Sequence, residues 1–317
     1  MLALHFDGQT ARVRDVADPA DFRDSALVRV SLAGICDTDL QLVKGYMGFR
    51  GVLGHEFVGT IVDAPMDEPR GRRVVGEINF ACESCPVCDA GMQRHCPSRR
   101  VLGILNADGA LAEYVRIPAA NLHTVPDSVP DAAAVFAEPL AAAFEILDQI
   151  DIEAGQDCVV LGDGKLGLLV AQVLRNAGAQ VRTVGKHSKK LAVLERLGIE
   201  TVALADWRPQ PTSLVVEATG SREGFECAVA AVKPRGTIVL KSTFAERPQI
   251  DLAPLVVNEV RVIGSRCGPF PPALRALEAG NVDVASLVSD RLPLRDADEA
   301  LRIAGAPGAM KILVETA

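Results

Sequence analysis

The run Val159-Val160-Leu161-Gly162-Asp163-Gly164-Lys165-Leu166-Gly167 constrains the fold of this chain more than any other stretch, because it sets G-x-G-x-x-G between an apolar segment and a leucine-rich one. The first glycine lets the chain turn sharply, the second lets backbone approach a bulky anion, and the third lets the following helix press against the strand. Alone the motif is weak; its surroundings strengthen it. Strand patterns at Cys158–Leu161, Val181–Val184, Leu214–Glu217, Gly236–Leu240 and Arg261–Ile263 alternate with helix patterns near Leu166–Ala177, Ser188–Leu197 and Glu223–Val232. That alternation is the signature of a parallel sheet covered on both faces. Helix N-terminal amides at the glycine turn then face the pyrophosphate of a dinucleotide, with Gly162, Asp163, Gly164, Lys165, Leu166 and Gly167 as the expected cradle. Lys165 either adds a cation there or is simply solvated.

The exit of the next strand selects the dinucleotide. An Asp or Glu there accepts hydrogen bonds from the adenosine ribose and repels a 2′-phosphate. This chain instead reads Val184-Gly185-Lys186-His187-Ser188-Lys189-Lys190. A small residue followed by cations and a hydroxyl favours a phosphorylated ribose, so the expected cofactor is NADP, with NAD as the alternative, held by Gly185, Lys186, His187 and Lys190. Thr219-Gly220 and Ser242-Thr243 follow two further strand patterns and are expected along the nicotinamide half.

Ahead of this region, Cys82-Glu83-Ser84-Cys85-Pro86-Val87-Cys88 is closed by Cys96 eight positions later. Two-residue turns let neighbouring sulfurs aim at one centre and the longer arm brings the fourth behind it, which is the pattern of a tetrahedral zinc site. Four thiolates leave no open position, so this zinc is structural. Disulfides are the competing account; nothing at Met1–Thr10 resembles a secretory signal, so a cytosolic, reducing setting is expected.

Length allows two cores: 317 residues exceed the usual single domain. From Ala26 to about Val125, short Val-rich segments alternate with Gly, Pro and Asp turns, and this marks a β-rich domain. Character changes after Val125-Pro126, where Asp131–Leu147 reads as an Ala-rich helix. The segments Ala273–Ala279, Val282–Val288 and Met310–Val314 exceed what one sheet needs and are expected to return to the first domain. The expected division is therefore 1–125 with 266–317, carrying the cysteine lobe at about 80–100, and 126–265. A net charge of −8 speaks against nucleic acid. No apolar run approaches the roughly 20 residues that cross a bilayer.

Three more segments complete the pattern: Gly34-Ile35-Cys36-Asp37-Thr38-Asp39, Gly54-His55-Glu56-Phe57-Val58-Gly59, and Phe136-Ala137-Glu138-Pro139-Leu140. Each is ordinary in isolation. In this order, around a four-cysteine lobe and ahead of a dinucleotide turn, they resemble the zinc-dependent medium-chain alcohol dehydrogenases, in particular the polyol and threonine dehydrogenase-like branch. The resemblance spans essentially the whole chain. It implies an α/β protein with a GroES-like β-rich catalytic domain and a Rossmann doubly wound parallel-sheet domain. It also implies a second zinc held by Cys36, His55 and a carboxylate, with Glu138 the expected third ligand and Glu56 exchanging with it or with water. An open zinc acidifies a bound alcohol or polarises a carbonyl. By the same resemblance Thr38 accepts the alcohol proton and Asp39 orients His55.

Two departures stand out. Gln41 lies where many relatives carry a relay histidine, and an amide takes up no proton at ordinary pH. Asp37 lies where relatives often have Gly or a basic residue, and its role is open. The short spans Cys36–His55 and Val62–Gly71 trim the expected cleft rim, while Lys44–Phe49 and Val101–Asn106 are candidate cleft segments. His5, His95 and His123 lie outside these motifs and read as surface or structurally bonded imidazoles; Cys158, Cys227 and Cys267 read as small core residues. The leading function is NADP-preferring oxidation of an alcohol or reduction of its aldehyde or ketone, in a homo-oligomer that is a dimer or tetramer. The alternatives are a non-catalytic NADP(H) sensor or scaffold, and a reductase of an activated double bond or iminium.

Overall fold

A computed structural model describes residues 1–22, 24–65, 70–243 and 249–316. The short Val62–Gly71 span therefore falls partly outside the described residues. The chain forms two compact units, Met1–Glu138 with Ala273–Gly280 and Val288–Ala317, and Pro139–Pro272 with Asn281–Leu287.

The first unit is built on a seven-stranded sheet in the order Leu122–Thr124, Arg73–Gly76, Glu56–Asp63, Ser25–Gly34, Lys311–Glu315 and Val288–Pro293, with Tyr114–Pro118 also paired to Ser25–Gly34. In Ser25–Gly34 the residues Ala26, Val28, Val30 and Leu32 are buried while Leu27, Arg29 and Ser31 are not. That period of two turns one face to the core. Full burial of a Val or Leu side chain there contributes about 1.5–3 kcal/mol. Beyond Leu32 the residues Ala33 and Gly34 are buried as well, so the strand dives inward at its end. Register then decides what meets there: Gly34 pairs with Glu56 on one side and with Leu313 on the other. Cys36, His55 and Lys311 each lie within two residues of that row, so all three emerge at the same end of the sheet.

The helix expected over Asp131–Leu147 is two helices, Asp131–Ala134 and Ala137–Gln149. Pro139 is the reason. It has no N–H and its ring clashes with the carbonyl four residues back, so a helix cannot run through it, whereas a new helix tolerates it in the first turn. Asp131 accepts hydrogen bonds from Arg73 Nη1 at 2.8 Å and Ser31 Oγ at 2.7 Å. Those bonds tie the segment after Val125-Pro126 to the sheet of the first unit, which runs on to Glu138.

The second unit carries six strands in the order Glu200–Ala203, Gln180–Gly185, Asp157–Leu161, Thr212–Glu217, Val232–Leu240 and Arg261–Gly264, every neighbouring pair parallel. Glu200–Ala203 has no counterpart in the sequence reading. It is an edge strand with no buried residue, so it lacks the apolar run that marks central parallel strands. Chain order reverses beside Asp157–Leu161, which opens a crevice at the carboxyl ends of the strands where α/β sheets bind ligands. Among the described residues no helix is long and apolar enough to cross a membrane.

Candidate active site

The four lobe cysteines surround one point. Their Sγ separations are 3.5 Å for Cys82–Cys96, 3.6 Å for Cys85–Cys88, 3.9 Å for Cys85–Cys96 and 4.0 Å for Cys82–Cys88. A tetrahedron with a zinc–sulfur bond of about 2.3 Å has an edge of about 3.8 Å. A disulfide needs about 2.05 Å, so these are free thiols at metal-binding spacing. Pro86 at the first position of the short helix Pro86–Asp89 sets Cys85 and Cys88 on one turn. Without a cation the thiols differ widely: burial pushes Cys88 up to about 12, while a hydrogen bond from the Ser84 backbone draws Cys82 down to about 6.

A second cluster brings together Cys36, His55 and Glu56, whose ligand atoms all lie within 4.8 Å of one another. Cys36 precedes the helix Asp37–Leu42 as its N-cap, and Asp39 in the first turn reaches back to it. Asp39 is fully buried. Its Oδ2 accepts from the Cys36 N–H at 2.8 Å and its Oδ1 from the Gly54 N–H at 3.3 Å, so one carboxylate braces the segments bearing both ligands. The same Oδ1 stands 3.4 Å from His55 Nδ1. That approach is electrostatic without being an aligned hydrogen bond, and Nδ1 has no hydrogen-bond partner. Burial works against a charged imidazole, but the Asp39 carboxylate and then Cys36 outweigh it and hold the His55 pKa well above its ordinary value. Thr38 Oγ1 lies 3.7 Å from Cys36 Sγ.

Glu56 is 1 % exposed, and its Oε1 is buried without a partner while Oε2 is bonded to Lys311 Nζ. An orphaned Glu56 Oε1 beside a thiol and an imidazole, all of them zinc-ligand types, is what an open metal site supplies. Glu138 starts the second helix at the Pro139 break and lies outside this cluster. Lys311, absent from the sequence reading, is 1 % exposed. Its Nζ also lies 3.4 Å from Ile35 O and 5.5 Å from the Phe136 ring centre. Burial depresses an ammonium pKa; Glu56 first and then Cys36 reverse that and raise it above the ordinary lysine value. Gly34 makes room for the pair, since a Cβ there would fall 2.6 Å from Glu56 Oε2. A lysine opening the otherwise apolar strand Lys-Ile-Leu-Val was the available signal.

In the second unit the glycine turn has the geometry its motif implies. Gly162 has φ +118, and a Cβ there would meet Ala218 O at 2.5 Å. One on Gly164 would meet nothing within 4 Å, which leaves the open cradle a pyrophosphate needs. Lys165 is 8 % exposed, so it is buried rather than solvated. Gly220 N–H donates to Ser242 Oγ at 2.8 Å, bringing two of the expected nicotinamide-side residues together. Thr219 Oγ1 donates to Glu217 Oε1 at 2.6 Å. Thr243, Lys186 and Lys190 sit at strand exits or the next helix start. His123 Nε2 is 3.1 Å from Glu77 Oε1 and His5 is bonded to Arg14, which fits structural imidazoles.

Residues 23–127 match the alcohol dehydrogenase GroES-like domain, and residues 166–279 match the family described as zinc-binding dehydrogenase. A D-altritol 5-dehydrogenase of Agrobacterium fabrum is 31% identical over 291 residues, covering 86% of each chain. A zinc-binding dehydrogenase of Sinorhizobium meliloti 1021, solved bound to NADP, superposes with a TM-score of 0.90 at 30% identity, covering 99% of each chain. An alcohol dehydrogenase of Thermus sp. ATN1 does so with a TM-score of 0.93 at 28% identity over 100% of each.

Proposed function

Because the chain belongs to the zinc-dependent medium-chain alcohol dehydrogenases, we propose that it interconverts an alcohol and its carbonyl compound by hydride exchange with NADP(H), with Cys36, His55 and a carboxylate as the ligands of its catalytic zinc. The observation that carries this reading is the Cys36–His55–Glu56 cluster, in which Glu56 Oε1 is buried and unpartnered. A zinc ion there supplies a Lewis acid for the substrate oxygen, and the nicotinamide supplies the hydride acceptor or donor.

The protein's own groups do the rest. Asp39 holds the Cys36 and His55 segments in register through two backbone N–H groups, so the ligands are fixed before substrate arrives. Thr38, whose hydroxyl stands beside the Cys36 sulfur, accepts the proton that leaves the alcohol. Gln41 on the same helix takes up no proton, so it would not continue a relay from Thr38. Of the two carboxylates, Glu56 is adjacent to the other ligands and Glu138 is not; we assign Glu56 the ligand position in this conformation and Glu138 the position it exchanges with. Cys82, Cys85, Cys88 and Cys96 hold a second, closed zinc that shapes the lobe.

A metal-ligand set of this kind argues against a sensor, which needs no open cation, and against a metal-free double-bond reductase. The substrate is proposed to be a small alcohol; the relative named for altritol makes sugar alcohols the first compounds to assay. Protein of measured metal content, tested on a panel of polyols, simple alcohols and carbonyls by NADPH absorbance, is expected to hold two zinc ions per chain and to turn over at least one alcohol–carbonyl pair. One ion with no turnover across the panel would favour the sensor.

We further propose a cytosolic homo-oligomer. Arg261–Gly264 is the terminal strand of the parallel sheet, and Val262 on it, with Leu252, Val256 and Val257 nearby in sequence, is exposed. An apolar sheet edge invites pairing with another copy. Gel filtration with light scattering is expected to give a dimer or tetramer, and Val262→Lys to weaken it; a monomeric wild-type mass would defeat the assignment.

A further inference from the structure

Asp163, the first variable residue of the glycine turn, is 7 % exposed and aims both carboxylate oxygens at one residue of the neighbouring strand's exit. The His187 backbone N–H donates to Oδ2 at 2.6 Å, and His187 Nδ1 lies 3.1 Å from Oδ2 and 3.2 Å from Oδ1. The room for this comes from Gly185, the last residue of the strand Gln180–Gly185: a Cβ at that position would fall 2.5 Å from Asp163 Cβ and 2.6 Å from Oδ2. The carboxylate of the turn thus fills the space that a side chain on residue 185 would claim. A strand-end acid in this fold binds the ribose hydroxyls of an unphosphorylated dinucleotide. Here such an acid is sterically excluded while Asp163 holds its place.

We propose that Asp163 is a positioning residue that gives this protein its preference for the 2′-phosphorylated dinucleotide. It keeps residue 185 free of an acid, directs its own acceptors inward to His187, and so leaves Lys186, His187 and Ser188 to meet the adenosine ribose. The inference rests on the NADP reading above. Burial separates the two roles Asp163 has available. As a ribose acceptor its carboxylate would face the crevice, yet its side chain is 10% exposed against 41% for His187. His187 is also the N-cap of the helix Ser188–Arg196, and its side chain makes no cap bond. Asp163 therefore fixes the backbone from which that helix starts, and with it the direction in which Lys186 and Ser188 leave the strand exit. Charge-assisted bonds to a phosphate depend on such placement within a few tenths of an ångström.

The test is the pair of dissociation constants for NADPH and NADH, measured by nucleotide fluorescence on the full-length protein and on Asp163→Ala, Asp163→Asn and His187→Ala. Asp163→Ala is expected to lose about tenfold in NADPH affinity while NADH affinity stays within roughly threefold. Asp163→Asn keeps an oxygen for the His187 N–H and is expected to retain most of the wild-type NADPH/NADH ratio. His187→Ala retains the backbone N–H that donates to Asp163 Oδ2 and removes only the imidazole contact, so it is expected to lose NADPH affinity by less than Asp163→Ala, and it remains the test if the alanine at 163 does not fold. A gain in NADPH affinity in Asp163→Ala would identify the carboxylate as a ribose acid and overturn the proposal. So would parallel losses for both nucleotides, which signify a purely structural role, or an unchanged ratio in both alanine variants. Tighter NADH than NADPH binding by the wild type overturns the NADP reading itself, before any variant is made.

Discussion

Cys36→Ser and His55→Ala are each expected to cut turnover by on the order of 10³-fold or more, to reduce the zinc content from two ions per chain to one, and to leave NADPH affinity within roughly threefold of wild type. The size follows from what the cation does. Lewis-acid stabilisation of a developing alkoxide supplies several kcal/mol, and each 1.4 kcal/mol is about tenfold in rate. The selectivity follows from where the groups lie: Cys36 and His55 belong to the first unit, and the glycine turn with its strand exits belongs to the second. The measurements are steady-state rates, metal analysis and nucleotide titration on the same preparations. Full zinc occupancy with retained turnover in either variant would remove these residues from the mechanism. Comparing Glu56→Gln with Glu138→Gln then ranks the two carboxylates, because the one that spends longer on the metal lowers zinc affinity more when replaced.

In the zinc-free protein Lys311→Met is expected to destabilise the fold by about 3–5 kcal/mol, since it leaves the buried carboxylate of Glu56 charged and unpaired. Lys311 and Glu56 are 1% and 0% exposed in their side chains, and the bond between them joins residues 255 apart in sequence. Losing one partner costs far more than losing both. The double variant Lys311→Met/Glu56→Gln is therefore expected to recover at least about 1 kcal/mol relative to the sum of the singles. Chemical denaturation of the four proteins measures this cycle. A near-zero coupling energy would mean that the two charges stabilise nothing jointly. If Glu56 is a zinc ligand, Lys311 would compete with the metal for its carboxylate, and Lys311→Met is then expected to bind zinc more tightly and turn over more slowly.

Much of the chemistry was legible in the chain because it is local. Three cysteines within seven residues aim at one point whatever the rest of the fold does, and a glycine turn between a strand and a helix has one backbone solution. The edge strand Glu200–Ala203 was not legible, because half-exposed residues at a sheet margin carry no apolar run. The helix break at Phe136 was legible in principle: Pro139 forbids a continuous helix, and the Ala-rich composition on either side concealed it. Lys165 was ambiguous for a different reason. Sequence does not say whether a lysine at a helix start faces water, and here it is buried.

The sequence by itself determined the parallel sheet, the four-thiolate lobe, the pyrophosphate turn and the residue types available to an open zinc, since each depends on spacing over a few residues. Tertiary structure alone decided which carboxylate stands beside Cys36 and His55, that a lysine near the end of the chain neutralises it, and that Asp163 reaches across to His187. Those contacts depend on strand register. Gly34 lying between Glu56 and Leu313 is a property of three strands together, and the space above Gly185 exists only once two parallel strands are paired. Pairing of this kind brings together side chains that no local pattern relates, which is why their chemistry became visible only in the folded chain.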